Sequence, residues 1–97
     1  PGVAKVWGRF DSAGILDASR NVSSITDTGI GQWTVNYTTA FSSGNYNVQG
    51  SAEGTVNFFV VEGITTTLAG SCAVQTRDAA GTLADSQRIH FVAFGDQ

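Results

Sequence analysis

NVSSITDTGIGQWTVNYTTAF, Asn21 to Phe41, sets two runs of β-forming residues on either side of a four-residue joint, Thr28-Gly29-Ile30-Gly31. In the second run Trp33, Val35 and Tyr37 fall on one face and Gln32, Thr34, Asn36 and Thr38 on the other, because successive strand side chains point to opposite sides. That alternation predicts a half-buried antiparallel strand. The first run is thinner in apolar residues, with Val22 and Ile25 among serines and threonines. Asp27, Gly29 and Gly31 nevertheless supply the positive-φ positions that a hairpin turn of three to five residues needs.

Outward from this hairpin the chain reads as short strands, with no amphipathic helix. Ala4 to Phe10 alternates and ends in a turn at Asp11-Ser12-Ala13-Gly14, and Ile15 to Ser19 returns. Beyond Ser42-Ser43-Gly44-Asn45, Tyr46 to Ala52 repeats the two-residue period and Glu53-Gly54 turns the chain. Thr55 to Val61 (TVNFFVV) is apolar on both faces. Glu62 to Gly70 is a threonine-rich connection, Cys72 to Arg77 alternates again, and Asp78 to Asp85 is a long loop. In the last strand, Gln87 to Phe94, Ile89, Phe91 and Ala93 oppose Arg88, His90, Val92 and Phe94. Strands of five to eight residues separated by glycine-containing turns indicate an all-β fold, an antiparallel β-sandwich of about eight short strands in a single domain, residues 1–97.

The composition narrows the functions such a domain can serve. With 97 residues, 12 glycines, 41% hydrophobic and 13% charged residues, the chain has the apolar content of a folded domain rather than of a disordered one. A net charge of −3 with five scattered basic residues argues against a phosphate-tracking, nucleic-acid-binding surface. No apolar run approaches the ~20 residues of a membrane helix, so membrane insertion is not expected. Beginning at Pro1-Gly2, the chain reads as a module from the end of a longer or processed polypeptide. Cys72, the only cysteine, rules out an internal disulfide and a cysteine-based metal site, and is expected to be buried and unreactive.

The residues point to no catalytic centre and no cofactor. His90 is the only histidine, so a multi-histidine metal site would need three copies on a symmetry axis; a hydrogen-bonded, partly buried strand residue is the simpler expectation. Most carboxylates fall in turns, where capping accounts for them. Trp7, Trp33, Tyr37 and Tyr46 have the flat apolar faces of a sugar-stacking platform, although Trp33 and Tyr37 share a strand face with Val35 and are expected in the core. Asn21-Val22-Ser23 and Asn36-Tyr37-Thr38 match the glycosylation pattern, the second in mid-strand.

WGRFDSAGILDASRNVSSITDTGIGQWTVNYTTAFSSGNYNVQGSA, Trp7 to Ala52, resembles a recurrent module of bacteriophage virion proteins, especially tail-fibre-like proteins. VQTRDAAGTLADSQRIHFVAFGD, Val74 to Asp96, resembles the end of the same module. The hairpin sequence and the final VAFG are the most specific pieces, and Glu53 to Ala73 the least familiar. The resemblance implies a non-enzymatic, C-terminal β module of a virion structural protein, usually trimeric and often facing the host surface. It carries over no catalytic or ligand-binding residue.

Two functions follow as expectations: a fibre-tip domain that trimerises and contacts a host-surface glycan, or a capsid or tail decoration domain that binds only other virion proteins. The trimer interface is expected along Phe58, Phe59, Val60 and Val61, one alternate pair facing the core and the other a neighbouring subunit. If consecutive strands run up and down, the connections at Asp11 to Gly14, Thr28 to Gly31, Glu53-Gly54 and Asp78 to Asp85 share the end remote from Pro1. Loops on a rigid scaffold commonly carry binding residues. Asp11, Thr28, Asp78, Thr82 and Asp85 are therefore the expected receptor contacts, and a glycine-serine replacement of Asp78 to Asp85 is expected to abolish binding without lowering the thermal transition.

Overall fold

A computed structural model of the chain describes residues 3–53, 58–61 and 67–97. Among them nine strands form and no helix: β1 Val6–Asp11, β2 Leu16–Arg20, β3 Val22–Gly29, β4 Gln32–Tyr37, β5 Asn47–Glu53, β6 Phe58–Val61, β7 Thr67–Leu68, β8 Ser71–Arg77 and β9 Arg88–Phe94. They make two antiparallel sheets, one in the order β2-β1-β9-β5 and the other β3-β4-β8-β6, with β7 also paired to β8. The all-β antiparallel sandwich is the fold adopted.

One detail differs from expectation. Thr67–Leu68, within the segment read as a loop, pairs with Cys72 and Ser71 through a tight turn at Ala69-Gly70, which brings the strands to nine. Thr55 to Asn57 and the turn residues Gly54, Glu62 and Gly63 lie outside the described residues. Within β6, Phe59 and Val61 pack against the core, whereas Phe58 and Val60 are 56% and 37% exposed.

The core follows the two-residue period. Val6 and Phe10 of β1, Trp33, Val35 and Tyr37 of β4, Cys72 and Val74 of β8, and Ile89, Phe91 and Ala93 of β9 all point between the sheets. Trp33 meets Phe10 edge-on at 5.8 Å, and each such buried side chain contributes roughly 1.5–3 kcal/mol. Gly50 faces the core beneath Phe59, whose ring atoms lie 2.5–2.6 Å from where a Cβ would stand. A side chain there would displace the ring.

Two bonds place three of the loops at one end. The indole Nε1 of Trp33 donates to the Ser12 carbonyl at 3.0 Å, and the Gly31 amide donates to Asp85 Oδ1 at 2.7 Å. The Gln87 amide, two residues beyond Asp85, donates to the Glu53 carbonyl at 3.1 Å. At the other end Phe41 stacks on Tyr46 at 4.1 Å, and the Tyr46 hydroxyl lies 2.9 Å from that of Tyr37 and within hydrogen-bonding distance of the Leu68 and Ser71 carbonyls.

Candidate functional site

Directly opposed residues of an antiparallel pair project from the same face of the sheet. Because Val6, Gly8 and Phe10 face the core, Trp7 and Arg9 face outward, and the strand register extends them into rows across the four strands. One row reads Arg20, Trp7, Val92 and Gln49, and the next reads Ala18, Arg9, His90 and Ser51. A third contains Asp11, Arg88 and Glu53. Between the first two rows lies the backbone of Gly8, Phe91 and Gly50, also in register. Two of those three residues lack side chains, and the surface there dips into an open depression of about 500 Å³.

The walls of the depression differ in character. Trp7, 40% exposed, and Val92 supply apolar surface, while Arg9, Gln49, Ser51 and His90 supply hydrogen-bonding groups. Ala18, opposite Arg9, is small enough to keep the β2 side low. A second depression of about 520 Å³ lies over the charged row, lined by Arg9, Asp11, Ser12, Glu53, Gln87 and Arg88.

A bulge in β2 builds the charged network. Arg9 opposes Ala18 but Phe10 opposes Leu16, so Asp17 is the extra residue of the pairing. Bulges re-aim side chains, and here Asp17 turns to the outer face. Its Oδ2 accepts a hydrogen bond from Arg9 Nη1 at 2.9 Å and lies 2.7 Å from Arg88 Nε, a charge contact at an angle that leaves the Nε–H without a hydrogen bond. Arg9 Nη2 donates to Glu53 Oε2 at 3.2 Å, and His90 Nε2 lies 2.7 Å from the same oxygen. The His90 contact, reinforced by Arg9, holds the Glu53 carboxyl below its ordinary pKa. Exposed ion pairs such as these contribute little to stability, because solvent screens them. Their larger effect here is to orient Arg9 and His90 along the depression.

The loop residues expected to contact a receptor are occupied differently. Asp11 Oδ1 accepts from the amides of Ala13 and Ile15, and Asp78 Oδ1 from those of Ala80 and Thr82. Asp85 holds Gly31, and Thr28 is an exposed residue at the β3 bulge before the turn. Turn and loop closure thus account for one oxygen of each of these three carboxylates. The structure brings Asp11 and Asp85 to the same end, and Asp11 alone of the five borders either depression on the outer face.

The four aromatic candidates separate cleanly. Trp33, Tyr37 and Tyr46 belong to the core cluster or pack against it, and Trp7 alone faces outward beside polar groups. Burial raises the Tyr37 phenol pKa and pushes that of Tyr46 up to about 12. The two glycosylation matches are structural: the Asn21 side chain bonds to Lys5 and Thr39, and that of Asn36 donates to Ser24 and Thr26. Among the described residues no three His, Cys, Asp or Glu side chains cluster to hold a metal ion. Comparison of the chain with models of protein families, with curated proteins and with solved structures finds no match.

Proposed function

We propose that the chain is a non-enzymatic binding module of a phage virion, a tail-fibre tip domain that forms a homotrimer and contacts a host-surface glycan through the outer face of the β2-β1-β9-β5 sheet. The virion assignment follows from the resemblance of Trp7 to Ala52 and Val74 to Asp96 to tail-fibre-like modules. The glycan assignment is carried by one observation, the half-exposed Trp7 indole beside a depression lined by Arg9, Gln49, Ser51 and His90.

A sugar ring has an apolar C–H face and a rim of hydroxyls. It therefore suits a site that sets an aromatic face against a few hydrogen-bonding side chains. Adsorption of the domain to host cells, together with a glycan array, tests the reading. Trp7→Ala is expected to abolish binding, and replacement of Asp78 to Asp85 to leave the bound sugars unchanged in any folded fraction. Full binding by Trp7→Ala would move the receptor surface elsewhere.

A second reading, a decoration or assembly domain that binds only other virion proteins, is favoured by the outward Phe58 and Val60 on β6. Absence of all glycan and cell binding by the wild type, with retained association to virion proteins, would select it.

A further inference from the structure

We infer that the depression selects an anionic saccharide, a sugar bearing a carboxylate, sulfate or phosphate group, and that Arg20 is the residue that distinguishes it from a neutral one. The inference rests on the reading of this face as a glycan site. Arg20 opposes Trp7 across the β1–β2 pair, and stands two residues from Ala18 on the same strand face. It is therefore at the rim of the depression, against the aromatic surface that would carry the sugar ring.

The charges around it are unequal in their engagement. Arg9, Arg88, Asp17 and Glu53 compensate one another through the contacts of the network. Arg20 is exposed and makes no ion pair with an acidic side chain among the described residues. No carboxylate lines the depression itself, where Arg9 and His90 are the titratable members. Arg9, Arg20 and Arg88 are three of the five Lys and Arg residues of an acidic chain, and all stand on this one face. A guanidinium left unpaired in such a setting offers two parallel N–H donors to a planar or tetrahedral anion. Gln49 and Ser51 on the opposite wall would meet hydroxyls of the same ring.

Binding of the full chain is measured against oligosaccharides of one backbone in four forms: neutral, carboxylated, sulfated and phosphorylated. Wild type is expected to prefer at least one anionic form over the neutral form by roughly 10- to 100-fold, the range of a charge-assisted hydrogen bond. The form preferred identifies the anion. Arg20→Gln should bring the ratio close to one while leaving affinity for the neutral form unchanged, and Arg20→Lys should restore much of the preference. Equal wild-type affinity for neutral and anionic forms, or an unchanged ratio in Arg20→Gln, would overturn the inference and leave the glycan site standing. Failure of wild type to bind any form would overturn both.

Discussion

Asp85 Oδ1 accepts a hydrogen bond from the Gly31 amide at 2.7 Å, joining residues 54 apart in the chain. The contact clamps the loop before β9 to the turn between β3 and β4. Around it the Gly31 carbonyl accepts from the Thr76 amide, the Thr76 carbonyl accepts from the Ala84 amide, and the Thr76 hydroxyl donates to the Ala84 carbonyl. The joint of the hairpin is thereby part of the packed end of the sandwich.

Gly31 has φ +66°, and a Cβ there would stand 2.7–2.8 Å from backbone atoms of Thr76 and Ala84. Gly31→Ala combines left-handed strain with a clash that no side-chain movement relieves, and is expected to cost on the order of 2–4 kcal/mol. Asp85→Ala should cost about 1–3 kcal/mol through the unsatisfied amide. Urea denaturation measures both. Replacement of Asp78 to Asp85 by glycine and serine removes the same clamp and is expected to lower the thermal transition, in contrast to the unchanged transition expected when the segment is read as a receptor-contacting loop.

The two tryptophans provide a contrast in which stability and binding part. Trp33→Ala empties a fully buried site and breaks the bond to Ser12, at a cost of about 3–5 kcal/mol. Trp7→Ala, on a half-exposed face, should change stability by about 1 kcal/mol or less while removing glycan binding. A Trp33 variant as stable as wild type, or a Trp7 variant that fails to fold, would contradict the assignment of faces.

Glu53 predicts an acid limb in the stability curve. Its folded pKa lies below the ordinary 4.5 because His90, and secondarily Arg9, bind the carboxylate. As pH falls through 4.5 the unfolded chain takes up the proton first, so the contribution is complete above that pH and is lost as pH drops through the folded pKa. Glu53→Gln should flatten this limb in urea titrations between pH 6 and 3, and added salt should shrink the difference, since the group is exposed. An identical acid limb in the variant would show that the pair does not hold in solution.

The proposed trimer assigns different duties to the two faces of β6. Phe58→Ser with Val60→Ser should yield folded monomers, since each large apolar side chain buried between subunits contributes roughly 1.5–3 kcal/mol. Phe59→Ser should instead destabilise the fold, because Phe59 packs between Gly50 and Phe91. Size-exclusion chromatography with light scattering reads the outcome. A wild type that is monomeric at high micromolar concentration would end the trimer proposal.

What the sequence determined by itself is whatever depends on the next few residues. The two-residue period assigned Trp33, Val35 and Tyr37 to the core and His90 and Val92 to the opposite face of their strand, since side-chain alternation needs no knowledge of partners. Glycine and aspartate placement located the hairpin and most of the turns for the same reason. It also placed Cys72 inward with Val74, where burial pushes the thiol up to about 12. The face carrying the candidate site was another matter. Trp7, Val92 and Gln49 form a row only because β1, β9 and β5 are neighbours, although they lie far apart in the chain. Glu53 reaches His90 across 37 residues for that reason, and Asp17 joins them only through a bulge that breaks the alternation on which its side would otherwise be read. Strand order and register are settled by packing between distant segments. Only the tertiary structure could show that Trp7 meets Arg9, Gln49, Ser51 and His90 on one sheet face.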